Sequence, residues 1–203
     1  MSFVSLYRYV AGLNEYPVRL EGIVDKKVQA LTGQDEIWYV PVDLDPTISL
    51  GHIKQLRYQK LPYQELTWVT EIRYHKELDL PLRRFVCCKE LMHAFDTPEE
   101  RTDSAKKFEQ LLDEIETPLP NELASPMFQS ESRTKWMAAL TLCPGPVRDR
   151  FLPLWEADEL SDYEVALELQ IPEPLIKTIM SDRYERVFDI LIGDKLDQLE
   201  MSK

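Results

Sequence analysis

Glycine is scarce in this chain: six in 203 residues, alongside three cysteines and three histidines. So little glycine leaves no material for a Gly-rich phosphate-binding loop, and no serine nucleophile elbow occurs. Cys87, Cys88 and Cys143 are odd in number and follow no metal-binding spacing, and neighbours such as Cys87 and Cys88 cannot easily bridge each other. A disulfide-stapled scaffold is thereby excluded, and three reduced, buried thiols are expected. Positive charge is also in deficit, with 24 Lys and Arg against 36 Asp and Glu for a net charge of −12 and no run of five basic residues. That balance argues against a nucleic-acid binder or an anionic-membrane binder, which neutralise phosphates with clustered cations. Long apolar runs are missing as well. The stretch 3–13 is interrupted by Arg8, has no basic residue ahead of it and is too short to span a bilayer, so no membrane span and a cytoplasmic location are expected.

What remains is an ordinary globular composition, 44% hydrophobic and 30% charged. The apolar stripe Leu20, Ile23, Val24, Val28, Leu31 predicts an amphipathic helix over 15–31, capped by Gly33. Residues 36–42 and 66–74 have strand composition, the second alternating Trp68, Thr70, Ile72 and Tyr74 against Thr67, Val69, Glu71 and Arg73; a short strand over 53–59 lies between them. Beyond Pro81 the pattern turns helical, over 82–95, 98–115 and 130–142, with 119–129 as a loop. Ser161 to Glu164 form a capping-box pattern opening a helix to 169, and after a Pro-rich turn a last helix runs over 175–192. The expected fold class is α+β, a small N-terminal sheet with a helical core, dividing as 1–155 and a helical extension over 156–203 packed on the same core. The segment 162–180 has a helix-turn-helix outline, but 173–189 carry three basic and four acidic residues, so packing is the better reading and no nucleic acid is expected. Glu109, Asp113, Glu114 and Glu116 are read as a solvated acidic face, and His52 and His75 as surface or structural residues.

The segment richest in chemistry is 84–93, Arg-Phe-Val-Cys-Cys-Lys-Glu-Leu-Met-His. In the zinc-binding pattern H-E-x-x-H, two imidazoles four residues apart project from one helix face, and the intervening Glu polarises a metal-bound water. Here Lys89 stands in the first histidine's place, while Glu90 and His93 keep theirs. Downstream, 131–144 read E-x-x-T-K-x-M-A-x-x-T-L-C-P. Together with the Arg-Phe pair five residues before the motif, and with Val165-Ala166 and Gln170-Ile171-Pro172 further on, this resembles the ImmA/IrrE-type metallopeptidase-like family over roughly residues 66–186. The chain departs from that pattern at Lys89, at Met92 in place of the usual Gly, and in the 38 residues from His93 to Glu131, which include an extra amphipathic helix.

The resemblance implies a zincin-like core in which Glu90 would be the general base and His93 and Glu131 metal ligands. A third ligand oxygen would come from Asp96, one turn beyond His93 on nearly the same face, or from Glu90 if it gave up the role of base. Lysine ligates only as the neutral amine, and bringing its pKa from about 10.4 to near 7 costs roughly 4–5 kcal/mol, so zinc would be weakly held or absent. The alternative is that the Lys89 ammonium replaces the metal, matched by Glu90 or Glu131. Two functions follow from the resemblance: a pseudo-enzyme that uses the ancestral cleft to bind a protein partner such as a repressor or phage-encoded regulator, or an active zinc peptidase cleaving such a protein. The sequence leaves the oligomeric state open.

Overall fold

The computed structural model describes residues 3–59, 61–63, 65–102, 105–116 and 124–193. Helix α1 spans Phe3–Leu13 and buries Phe3, Leu6, Tyr7 and Val10, a one-sided stripe at helical spacing. The short apolar run at the N-terminus is thus a core helix. The helix expected over 15–31 begins later than its stripe suggests. Glu21 is extended and Gly22 takes φ 80°, so the chain makes a wide turn over Leu20–Val24 before α2 runs Asp25–Thr32. Leu20, Val24 and Val28 still point inward, and Gly33, at φ 70°, closes α2 as expected.

Strands β1 (Glu36–Val42), β2 (Gly51–Tyr58) and β3 (Thr67–His75) form a mixed sheet in the order β1-β3-β2, with β1 parallel and β2 antiparallel to the central β3. Ile72 of β3 is fully buried and pairs with Tyr39 on one side and Ile53 on the other, all on the face turned to the helices. On the opposite face Val69 is fully buried apart from the main core, on the side where the Trp38 and Tyr58 rings meet edge-on at 5.3 Å.

Helix α3 (Leu80–Met92) lies between the sheet and α5 (Pro126–Leu142). Asp79 caps α3 by accepting the Leu82 N–H at 2.9 Å, and Ser125 caps α5 by accepting that of Phe128 at 3.2 Å. Because of that cap α5 starts four residues before the expected 130; residues 119–123 of the expected loop lie outside the described residues. The inserted helix α4 (Ala105–Glu116) starts later than the expected 98. Its Glu114 is buried and accepts the Ser125 N–H at 2.9 Å, so this carboxylate anchors the start of α5 and is no solvated charge.

Helix α6 (Gly145–Glu156) follows, and α7 (Asp162–Leu169) opens on the expected capping box between Ser161 and Glu164. The single helix expected over 175–192 is two: α8 (Ile176–Met180) and α9 (Arg183–Leu191), separated by extended Ser181. The cause is Arg148 of α6. Its buried guanidinium takes hydrogen bonds to the carbonyls of Ile179 and Met180 at 2.8 and 3.2 Å, and pairs with Glu185 at 2.9 Å. Those carbonyls are acceptors that a continuing helix would have used. Arg148→Lys keeps the charge but loses the fork that reaches both, and is expected to lower stability by about 1–2 kcal/mol in a thermal or urea melt. A melt indistinguishable from the parent would show that the break has another origin.

Leu169, Ile176, Ile179 and Ile192 share one apolar core with Val10, Cys88 and Leu140, so the C-terminal helices complete the core that the sheet and α3 begin. The fold is α+β, a small sheet on a helical core. Among the described residues no helix is long and apolar enough to cross a membrane.

Candidate functional site

Helices α3 and α5 touch closely: the Cys88 thiol lies 4.0 Å from the Ala138 carbonyl, and the Thr141 hydroxyl 3.9 Å from the Met92 sulfur. That approach brings Lys89, Glu90 and His93 of α3 against Glu131 of α5, across the 38 residues that separate the two motifs. The Lys89 ammonium pairs with Glu90 Oε1 at 3.1 Å and with Glu131 Oε2. The other oxygen of Glu131 is 3.3 Å from His93 Nε2. At the second ring nitrogen, Nδ1, stands Asp96 at 2.7 Å. Asp96 in turn accepts from the Ser130 hydroxyl at 2.7 Å and from Arg133 at 3.0 Å, and Arg133 reaches Glu100 at 2.5 Å. The result is a chain of alternating charge: Glu90, Lys89, Glu131, His93, Asp96, Arg133, Glu100.

The electrostatics follow from that alternation. Burial opposes a charged imidazole, yet the hydrogen bonds its ring donates to Asp96 and Glu131 and the charge of Glu90 outweigh it and hold His93 up at about 9. Burial likewise works against the Glu131 carboxylate, but His93 and Lys89 pull it down to about 2. For Lys89 the desolvation penalty is overcome by the two glutamates, and its pKa is raised. At neutral pH the lysine is thus an ammonium and the histidine an imidazolium.

The close approach extends to the sheet. Gly51, at the start of β2, is buried against α3; a Cβ there would lie 2.5 Å from a Val86 methyl and 3.3 Å from the Glu90 side chain. Only glycine lets the outer strand β2 lie this close to Glu90 on α3. His52, the next residue, is half-buried, and burial and then the charge of Arg73 lower its pKa. His75 accepts the Glu77 N–H at Nδ1, 3.2 Å away. Neither ring joins the site, consistent with the structural roles expected for them.

Asp96 is placed differently from its expected role. The sequence reading put it on nearly the same face as His93, as a third oxygen beside Glu131. In the structure α3 gives way to a 3₁₀ turn over His93–Phe95, and Asp96 is extended, with ψ 141°. This carries its carboxylate to Nδ1, the ring nitrogen opposite Glu131. Ser130, Thr134, Arg133 and Glu100 escaped the sequence reading. The signal was Ser130 and Thr134 themselves, two hydroxyl residues set among Met127, Met137 and Ala138 on the buried face of α5. Thr134 Oγ1 is 3.4 Å from His93 Nε2, which gives a hydroxyl–imidazole–carboxylate order. The hydroxyl is fully buried and donates to the Ser130 carbonyl at 2.9 Å, so it is a helix-internal bond out of any substrate's reach.

The same geometry tests a zinc ion against this donor set. A catalytic zinc needs three neutral or anionic protein ligands. Here one of the three positions is an ammonium already engaged by both glutamates, and His93 has partners at both nitrogens. As they stand, these side chains do not fit zinc. No known family model matches the chain, and no curated protein is significantly similar to it. The fold and the site define an α+β protein whose two central helices are joined by a partly buried relay of charge.

Proposed function

We propose that the chain is a pseudo-enzyme, a regulatory protein-binding module built on a metallopeptidase-like scaffold, in which Lys89 stands where a metal would be. The observation that carries this reading is the Lys89 ammonium seated between Glu90 and Glu131. A general base must be free to take a proton from water, whereas Glu90 is 4% exposed and serves as counter-charge to Lys89. The Glu90 end of the site lies against β2, an edge strand among the described residues, whose outer side suits an extended segment of a protein partner, such as a repressor or phage-encoded regulator. A cytoplasmic setting fits three free, buried cysteines, since reducing compartments keep thiols unpaired.

The test is the metal content and peptidase activity of the full chain purified without chelator, beside Lys89→His. The parent is expected to carry no stoichiometric zinc and to cut no peptide, while Lys89→His, which completes an H-E-x-x-H helix, gains zinc affinity. Stoichiometric zinc in the parent, with a chelator-sensitive peptidase activity that Glu90→Gln abolishes, would establish the competing reading of an active zinc peptidase.

A further inference from the structure

Helix α3 has a second polar face. Arg83, Arg84 and Cys87 recur with Leu80 at helical spacing, about a third of a turn around the helix from Lys89, Glu90 and His93. This face closes one side of a cavity of about 300 Å³, whose other walls include the rings of Tyr39 on β1 and Tyr74 on β3. Arg19 and Glu21, from the turn before α2, complete its rim.

Three features of this cavity are unlike the rest of the molecule. In a chain of net charge −12 its lining holds three arginines against one glutamate. Among the described residues none of the three arginines pairs with a carboxylate. Arg84 spends Nε and Nη2 on the carbonyls of Gln170 and Val18, at 3.1 and 2.7 Å, which orient the guanidinium without neutralising it; Arg83 stacks over the Tyr74 ring at 5.9 Å. Last, two aromatic residues, Tyr39 and Tyr74, line the same space as the arginines.

We propose that this cavity binds a small organic anion, a carboxylate or phosphate ester on a flat apolar body, with Arg83 and Arg84 holding the anion and the Tyr39 and Tyr74 rings packing on the apolar body. Guanidinium forks match both oxyanions, and phenol rings pack on planar groups, so each half of such a ligand meets its own chemistry. The proposal is independent of the pseudo-enzyme reading, since it uses none of Lys89, Glu90, His93 or Glu131.

Calorimetric titration of the full chain with phenyl phosphate and with phenylacetate separates the two oxyanions; phenol and inorganic phosphate each supply half of the ligand. At least one of the two aryl anions is expected to bind saturably at one site, roughly tenfold or more tighter than either half. Arg83→Gln, which gives up only a ring contact in the free protein, should weaken that binding about tenfold or more, the scale of one charge-assisted hydrogen bond. Should Arg83→Gln not fold, Arg19→Gln decides the matter: this side chain is exposed at the rim, so the variant should melt like the parent and bind the anion severalfold more weakly. The proposal is overturned if neither aryl anion saturates, if phenol binds as tightly as phenyl phosphate and phenylacetate, or if the deciding variant binds like the parent.

Discussion

Lys89→Met is expected to lose on the order of 3–5 kcal/mol of stability at neutral pH, the scale of a buried ion pair broken on one side. Methionine fills much the same volume, so packing is nearly conserved and the effect isolates the charge. The side chains concerned are 20% exposed for Lys89, 5% for Glu90 and 33% for Glu131. Without the ammonium the two carboxylates are left facing a common space, with His93 the nearest remaining cation. In a chain of this length the loss corresponds to a fall in melting temperature of roughly 10 °C. Glu90→Gln alone is milder, because Glu131 still neutralises Lys89. The double variant Lys89→Met with Glu90→Gln should regain part of the single variant's loss, because it removes the more deeply buried carboxylate along with the cation, and Glu131 retains His93. Thermal or urea unfolding of the three variants decides the matter: a Lys89→Met protein that melts within a degree of the parent would mean that the ammonium is solvated and the bridge contributes nothing.

The meeting of Lys89, Glu90 and His93 with Glu131, across 38 residues, was expected from the resemblance of 84–93 and 131–144 to one family's pattern. Helical periodicity adds only that residues 89, 90 and 93 share a broad face of α3. The alternation in β3 was legible by periodicity: a period of two decides which side chains face the helices, and Ile72 and Tyr74 do. What periodicity cannot carry is the point at which a helix stops. Gly22 breaks the helix expected over 15–31 through a positive φ, and Arg148, 31 residues before Ile179 in sequence, breaks the last helix through its carbonyls. Asp96 illustrates the same limit inside the site. Had α3 continued to residue 95, its carboxylate would have stood above His93 on one face; the 3₁₀ turn swings it around the ring instead. Its partners Ser130 and Arg133 come from a helix 34 and 37 residues away, and no local pattern encodes such a meeting.

The pH profile of stability should carry the signature of this relay. His93 titrates near 9 in the folded protein against about 6.5 when unfolded. A folded pKa raised in this way contributes stability that is fully present below about pH 6.5 and is lost as pH rises through 9. For a side chain 10% exposed, the shift corresponds to a loss on the order of 3 kcal/mol. Glu131 acts in the opposite sense. Its folded pKa, depressed to about 2, gives stability that is present above about pH 4.5 and lost as pH falls toward 2, and the contribution is smaller because the carboxylate is a third exposed and screened. Glu100, held at about 2 first by its hydrogen bond to Arg133, steepens the same acid limb. The maximum should therefore lie between about pH 4.5 and 6.5. Above about pH 8.5 Cys87 and Cys143, both pushed up to about 12 by burial, also favour unfolding, so His93 dominates the window from 6.5 to 8.5, where His52, its pKa lowered by burial, adds only a small opposing gain at the lower end. Urea unfolding at intervals across that window should show the parent losing stability steadily and His93→Gln losing almost none. A parent curve flat from 6.5 to 8.5 would mean that the ring is neutral there. Its Nε2 lone pair would then be open to a metal, whereas an imidazolium bonded at both nitrogens has none to offer.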